Sequence, residues 1–205
     1  MRFVQDGCLA KPVWACYGAF MNLDFQKTRA RGEAKIVRAS CHLQGAGAEL
    51  IRHWPAFEMR GKSVAGFWPI KDEIDLRPLL AALADAGHIV CLPRIVRKAH
   101  PLEFRQYNPG DSLKAGAYGT AEPFKTEALV VPDVVLLPLL AFTGNAKRLG
   151  YGGGFYDRTI AALRSVGDVL ACGVAYAGQQ CSDIPTDKYD QHLDAILTPS
   201  GYRKF

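Results

Sequence analysis

Apolar and polar stretches alternate along the chain in the order that a layered α/β fold requires. A short apolar run at 64–68 is bounded by turn residues, which is typical of a buried strand. Apolar residues recur at helical spacing over 75–87, and Gly87 marks a helix end. A second apolar run, 88–93, predicts another buried strand. Strand, helix and strand in this order predict a right-handed βαβ unit with parallel strands.

The rest of the chain continues this pattern on both sides of the unit. Helix-forming residues fill 27–40, and their basic side chains share roughly one face: Lys27, Arg31, Lys35 and Arg38. The further predicted elements are a helix that Pro55 limits (48–57), a weaker strand (102–107), a long loop rich in Gly and Pro (108–123), a central strand (134–137), a helix (154–165) and two strands (169–176 and 194–199). We therefore expect an open, mostly parallel sheet flanked by helices on both faces, a layered α/β/α fold. One domain over 1–205 suits this length, with 1–22 as an extension whose pattern predicts no regular element.

Composition narrows the class of protein. The 205 residues are 49% hydrophobic and 22% charged, as in an ordinary globular protein. The six cysteines show no spacing that suggests zinc, so we expect reduced thiols in a cytoplasmic protein. No stretch approaches the ~20 apolar residues that span a bilayer, and the N-terminus lacks the core of a signal peptide. We expect a soluble monomer without a membrane partner.

The charge balance favours an anionic small molecule as the ligand. There are 25 Lys and Arg against 20 Asp and Glu, which gives a net charge of +5. That excess fits a polyanionic small molecule and also weak binding to nucleic acid. No run of five basic residues occurs. We therefore expect no nucleic-acid partner, and an RNA-associated protein stays the weaker alternative.

The most informative stretch is NAKRLGYGGGFYDR, residues 145–158, between a predicted strand and a predicted helix. Ligands of open α/β sheets bind at such junctions, at the carboxyl end of a strand. Four glycines, Gly150 and 152–154, let the backbone approach a ligand closely. Their N–H groups and the start of the following helix favour an anion, and Arg148 adds a two-pronged donor for phosphate. The run lacks the Lys-Ser/Thr end of a P-loop and the glycine spacing of a dinucleotide site.

Asp157 lies at the start of the predicted helix, beside the expected phosphates. A carboxylate there repels a bare phosphate, so a bridging Mg²⁺ is one reason for its position. The alternative is structural, since an acidic side chain by itself stabilises a helix N-terminus. The neighbouring Arg148 and glycines favour the metal, and both interpretations stay open.

The string RLGYGGGFYDR, preceded by LLPLLAF, closely resembles the signature of the 5-formyltetrahydrofolate cyclo-ligases, also called 5,10-methenyltetrahydrofolate synthetases. Three further segments are similar to this family in the expected order: 67–94, with an acidic pair, a helix and a Leu-Pro-Arg ending; GTAEP at 119–123; and 173–199. Members convert 5-formyltetrahydrofolate to 5,10-methenyltetrahydrofolate and hydrolyse ATP with Mg²⁺. The resemblance therefore implies an enzyme that uses ATP and Mg²⁺ and acts on 5-formyltetrahydrofolate, with or without a polyglutamate tail.

The resemblance also implies roles for individual residues. Arg148 and Tyr151 would be catalytic, and Asp157 and Asp194 would hold Mg²⁺. The residues implied to bind ATP are Lys27, Arg31, Arg148, Leu149, Gly150, Tyr151, Gly152, Gly153, Gly154, Phe155 and Tyr156. Those implied to bind the folate are Trp68, Glu73, Tyr151, Gly152, Gly153, Gly154 and Phe155.

Several of these roles have a structural alternative. Trp68 lies in an apolar run and also suits the core, Glu73 can simply end a strand, and Asp194 can cap a turn. The register of the basic helix is open, because Arg31 and Lys35 repeat the spacing of Lys27 and Arg31. A non-catalytic relative that binds folate or nucleotide is the alternative to an enzyme.

Overall fold

Helices form close to the stretches where the sequence predicts them. The computed structural model describes residues 22–205, so the predicted extension lies, except for its last residue, outside the described residues. Within that range the α-helices are α1 (Leu23–Cys41), α2 (Ala46–His53), α3 (Arg77–Asp85) and α4 (Phe155–Arg164). None of these helices is long and apolar enough to cross a lipid bilayer.

The strands of the described range form one large sheet and two small ones. They are β1 (Val64–Ala65), β2 (Val90–Arg94), β3 (Glu103–Gln106), β4 (Lys114–Ala115), β5 (Ala121–Glu122), β6 (Leu129–Val130), β7 (Val134–Pro138), β8 (Ala141–Thr143), β9 (Arg148–Leu149), β10 (Leu170–Val174), β11 (Gln180–Cys181), β12 (Ala195–Thr198) and β13 (Gly201–Lys204). The large sheet has the order β13-β12-β10-β7-β1-β2-β3-β6. The five inner strands run parallel to one another: β12, β10, β7, β1 and β2. The remaining pairs, at the two edges, are antiparallel. The expected mostly parallel sheet is confirmed.

Helices cover both faces of this sheet, because strand side chains point alternately to opposite faces. On one face, Leu50 of α2 and Leu80 of α3 pack with Val64 and Val134 in one buried cluster. On the other face, Ile160 of α4 lies in a second cluster with strand residues of the same sheet. The inner strands are apolar on both sides, as is typical of a covered parallel sheet.

Helix α1 lies near the carboxyl ends of the parallel strands. Its Ala30 and Ala34 pack in a third buried cluster with Leu140, just beyond β7, and with Leu149 of β9. Strands β8 and β9 form an antiparallel hairpin that the sequence did not predict. This hairpin separates β7 from the glycine-rich run and brings the run against α1.

Two further local differences affect the candidate site. The predicted strand 64–68 pairs only over β1, so the residues after it leave the ladder at the carboxyl edge of the sheet. The predicted loop 108–123 contains the β4–β5 hairpin. Strands of two residues have too few positions to show an apolar pattern, which is why the sequence did not predict them.

Candidate active site

A cavity of ≈ 1050 Å³ opens at the carboxyl edge of the parallel strands. Pro93 of β2 and Pro138 of β7 form part of its wall, with Trp68 beyond β1. Ligands of open α/β sheets bind at this edge. The volume is slightly above the range of about 300–1,000 Å³ that is usual for small-molecule pockets.

Most of the residues that the sequence singled out meet in the wall of this cavity. They are Lys27, Arg31, Trp68, Glu73, Arg148, Leu149, Gly150, Tyr151, Gly152, Gly153, Gly154, Phe155, Tyr156 and Asp157. They come from three regions that are far apart in sequence: α1, the turn after β1, and the segment that runs from β9 through the glycines to α4. The tertiary structure therefore brings all of the predicted site residues except Asp194 together in one cavity.

The glycine-rich run enters the cavity between β9 and α4. Gly152 has φ +97° and Gly154 φ +64°, values that residues with side chains rarely adopt. A Cβ added at Gly152 would lie 2.9 Å from the guanidinium carbon of Arg31, whose Nε donates to the Gly150 carbonyl at 3.1 Å. Gly154 is the N-cap of α4 and offers no side chain to bond the first amides of the helix. Those amides and the positive end of the helix favour an anionic ligand.

Arg148 and Asp157 connect the two ends of this run. Arg148 is 6% exposed, and its Nη2 donates to Asp157 Oδ1 over 2.6 Å. The same oxygen accepts a hydrogen bond from the backbone amide of Gln191 at 3.1 Å. Among the described residues, the buried Nε of Arg148 has no hydrogen-bond partner. Arg148 also lines the cavity, so its guanidinium is suited to an oxygen of a ligand there.

Helix α1 brings a second cation to the same region. Lys27 Nζ donates to Asp187 Oδ2 at 2.8 Å and to Asp190 Oδ2 at 2.6 Å. Burial disfavours the charge on Lys27, but the two carboxylates outweigh burial and raise its pKa. Of the two registers that the sequence left open, the structure places Lys27 and Arg31 at the cavity, and Lys35 is exposed elsewhere on α1.

Glu73 reaches the cavity from the turn between β1 and α3. It is 6% exposed, and its Oε2 accepts the Ile70 amide at 3.0 Å. The Nη1 of Arg38 lies 3.6 Å from its Oε1. Burial raises the pKa of Glu73, against the lowering effects of the Ile70 amide and of Arg38. A buried carboxyl group of this kind is suited to paired N–H donors of a ligand.

Two aromatic residues, Trp68 and Tyr151, lie in the wall of the same cavity as Glu73. Trp68 packs partly against the core, with its ring edge-on to Tyr107 at a centroid distance of 6.1 Å. Tyr151 is 39% exposed. Burial and the neighbouring Glu73 raise the pKa of the Tyr151 hydroxyl, so it stays protonated and can donate a hydrogen bond.

The loop 108–123 adds two residues that the sequence analysis did not single out. Tyr118 has φ 61°, and its ring lies edge-on to Phe155 at a centroid distance of 6.2 Å. Glu122 is 4% exposed and accepts the Ile95 amide at 3.3 Å. Both line the cavity. The only signals for them in the sequence were the length of the loop and its GTAEP segment.

The structure does not bring Asp194 to this cavity. Asp194 precedes β12, at the amino end of the parallel strands, and its Oδ2 accepts from Arg164 Nη2 at 2.9 Å and from the Ala171 amide at 2.7 Å. It lines a separate, open depression with Asp168. Arg164, which pairs with Asp194, is the last residue of α4, whereas Asp157 lies in the first turn of the same helix. The two predicted metal ligands therefore lie near opposite ends of α4.

Magnesium fits Asp157 as part of a site shared with a ligand. Over residues 22–205, no group of three His, Cys, Asp or Glu residues could hold a metal ion by itself. Mg²⁺ commonly binds one or two carboxylates and takes its other ligands from water and from substrate phosphates. Asp157 lies beside the start of α4, where such phosphates would bind.

Comparison with known proteins identifies the family. A Mycolicibacterium smegmatis protein named 5-formyltetrahydrofolate cyclo-ligase is 32% identical over 161 residues, which cover 74% of this chain and 81% of that protein. The Escherichia coli K12 protein of the same name is 35% identical over 166 residues, covering 77% of this chain and 87% of that protein. The NMR structure of Aquifex aeolicus 5,10-methenyltetrahydrofolate synthetase superimposes with a TM-score of 0.70 at 28% identity, covering 87% of this chain and 92% of that one. The family model matches residues 41–199, well over half of the sequence, and the chain therefore belongs to the 5-formyltetrahydrofolate cyclo-ligase family.

Proposed function

We propose that this protein converts 5-formyltetrahydrofolate and ATP to 5,10-methenyltetrahydrofolate, ADP and phosphate, with Mg²⁺, as a cytoplasmic monomer. One observation carries the proposal. An anion-binding region and a buried carboxyl group beside aromatic rings share one cavity of ≈ 1050 Å³. That combination suits a reaction in which a polyphosphate and a flat heterocycle must meet.

We assign the region around α4 to ATP. The first amides of α4, the guanidinium of Arg148 and the charge of Lys27 can all bind phosphate oxygens. Arg31 borders the same region through its contact with the glycine-rich run. Asp157 would hold Mg²⁺, which neutralises charge on the transferring phosphoryl group.

We assign the region around Glu73 to the folate. The Glu73 carboxylate would accept N–H bonds from the amino-pterin edge, since it lines the cavity and a single backbone amide, that of Ile70, bonds one of its oxygens. The Trp68 and Tyr151 rings offer flat surfaces against which a pterin can stack.

The formyl group needs activation because its carbon is a poor electrophile and its oxygen a poor leaving group. The formyl oxygen attacks the γ-phosphorus of ATP, the bond to ADP breaks, and the N5 lone pair forms an iminium-like carbon. N10 then attacks that carbon and loses its proton, and the C–O bond breaks to release phosphate. The ring closes as the methenyl product.

The residues of this chain contribute position and charge to these steps. Arg148 and the amides of α4 would hold the phosphoryl oxygens as negative charge shifts toward ADP. The protonated Tyr151 hydroxyl would donate to an oxygen of the reacting groups. Glu73 and Trp68 would fix the pterin so that the formyl oxygen faces the γ-phosphate.

The test is the absorbance of methenyl-folate in a mixture of protein, 5-formyltetrahydrofolate, ATP and Mg²⁺. We expect ATP-dependent product, and we expect Asp157→Ala to remove most of it. Asp168→Ala is the matched control, because Asp168 is exposed and lies outside the cavity. Binding of folate or ATP without product would favour a non-catalytic relative, and binding of neither would refute the assignment of the cavity.

A further inference from the structure

Arg38 is almost completely buried next to the cavity without lining it. It is 2% exposed, on α1, two turns beyond Arg31. Its Nε and Nη2 donate to the two carboxylate oxygens of Asp72 at 3.1 and 2.7 Å. A two-pronged pair of this kind fixes the plane of the guanidinium group.

The remaining side of this guanidinium faces two residues of the cavity. Nη1 lies 3.6 Å from Oε1 of Glu73 and, over residues 22–205, has no hydrogen-bond partner. The guanidinium carbon lies 5.2 Å from the centroid of the Tyr151 ring. The Tyr151 hydroxyl interacts with both Arg38 and Glu73. Arg38 thus connects α1, the turn after β1 and the glycine-rich run at a single point.

We propose that Arg38 is a positioning residue, which orients the Glu73 carboxylate and the Tyr151 ring toward the folate without contacting the substrate itself. This inference rests on the proposed function, because it assigns Glu73 and Tyr151 to the folate. It adds a residue to which neither the motif nor the family resemblance gave a role.

The charge around Glu73 explains why one cation matters there. The groups that face Glu73 are Arg38 from α1, Asp72 from its own turn, Tyr151 from the glycine-rich run and Tyr156 from α4. Of these, Arg38 alone is cationic. Burial already raises the pKa of Glu73 and Arg38 opposes that rise. Without Arg38, the carboxyl group would lose both the cation beside Oε1 and the charge that opposes the rise of its pKa.

The first measurement separates folate binding from ATP binding. Arg38→Lys keeps the charge, but a lysine cannot bond both oxygens of Asp72 and face Glu73 at the same time. Arg38→Met removes the charge. We expect the KM for 5-formyltetrahydrofolate to rise roughly tenfold to a hundredfold in Arg38→Met, and less in Arg38→Lys. The KM for ATP should stay within about twofold. Arg52→Lys and Arg52→Met are matched controls, because Arg52 is exposed on α2 and pairs with Glu49 at 3.1 Å.

The second measurement is a pH profile, which a merely structural role would not change. Arg38 lowers the pKa of Glu73, so its removal lets the carboxylate take up a proton at higher pH. The acid limb of kcat/KM for the folate should therefore move to higher pH in Arg38→Met. Asp72→Asn releases the guanidinium but keeps its charge, and it also removes the Asp72 charge that raises the pKa of Glu73. It should therefore raise the folate KM without moving that limb to higher pH.

The outcomes distinguish this inference from the proposed function. No methenyl product from the wild-type protein contradicts the function itself. If the wild-type protein turns over, and Arg38→Met has an unchanged folate KM and an unchanged acid limb, only the role of Arg38 is overturned. This holds even if the Tm of the variant falls. Folate binding followed by tryptophan fluorescence gives a readout without turnover. We expect weaker binding in both Arg38 variants, and wild-type affinity in either would overturn the inference.

Discussion

Arg148 and Asp157, nine positions apart, are joined by a 2.6 Å hydrogen bond between Nη2 and Oδ1. The pair closes the glycine-rich run into a loop at the start of α4. Both side chains also line the cavity. Each group is therefore placed both to hold the loop and to contact a ligand.

We expect Arg148→Lys to raise the KM for ATP roughly tenfold or more, because one ammonium group cannot bond Asp157 and phosphate as a guanidinium can. Steady-state kinetics at varied ATP concentration would show this. Arg164→Lys is the matched control, since Arg164 pairs with Asp194 at 2.9 Å near the other end of the same helix. An ATP KM equal to that of the control would argue against a phosphate role for Arg148.

Gly152→Ala should weaken both folding and ATP binding. An alanine at φ +97° is strained by about 1–2 kcal/mol. Its methyl group would also meet the guanidinium of Arg31, 2.9 Å away. We expect a lower Tm and a higher ATP KM. Gly167→Ala, at an open position without positive φ, should change neither, and equal behaviour of the two variants would contradict this account.

The pairing of Lys27 with Asp187 should make stability depend on pH in acid. The hydrogen bond from Lys27 lowers the pKa of Asp187 below its ordinary value of 3.8. A group with a lowered folded pKa adds stability above its unfolded pKa, and that stability is lost as the pH falls through the folded pKa. Between about pH 5 and about pH 2.5, the Tm of Lys27→Met should fall less steeply with decreasing pH than the Tm of the wild-type protein.

Lys35→Met is the control for this experiment, because Lys35 lies exposed on the same helix. It should keep the wild-type slope of Tm against pH. The raised pKa of Lys27 has the opposite sign, since its stabilising effect is lost only when the pH rises through that pKa in alkali. Identical acid slopes for both variants would show that the Lys27–Asp187 pair does not set the acid stability.

Asp194→Asn tests whether this residue acts on the metal. From its contacts with Arg164 and the Ala171 amide, we expect a small loss of stability and an unchanged Mg²⁺ requirement. Asp157→Asn should instead raise the Mg²⁺ concentration for half-maximal activity. The measurement is a Mg²⁺ titration of turnover. A raised requirement in Asp194→Asn would support the role that the family resemblance implied.

Glu122→Gln should leave Tm unchanged or raise it by a few degrees, on the scale of about 2–4 °C per kcal/mol. Glu122 is 4% exposed, and in the described residues its carboxylate accepts only the Ile95 amide. Burying a charge with so little compensation costs free energy, and glutamine keeps the acceptor without the charge. Glu127→Gln, at an exposed position, is the control. A lower Tm in Glu122→Gln alone would show that the charge is stabilising.

Much of the sheet could be predicted because its signals are local. The apolar runs at 88–93, 134–137 and 169–176 became β2, β7 and β10 with small changes at their ends. The helices likewise followed the 3.6-residue repeat. The small hairpins could not be predicted, since β4, β5 and β9 have two residues each and show no period. Their pairing depends on contacts across the chain.

The candidate site divides in the same way. The sequence alone determined which donors the glycine-rich run carries, because Gly and Arg148 bring their chemistry wherever the backbone places them, and an anion-binding role for the run stays a prediction. The tertiary structure decided the rest. Lys27 meets Asp187 across 160 positions, and Arg38 meets Asp72 across 34. Asp157 and Asp194 have the same side chain, yet one lies in the cavity and the other at the amino end of the strands. Residue type and spacing fix what a side chain can do, and only the packing of distant segments fixes which groups it faces.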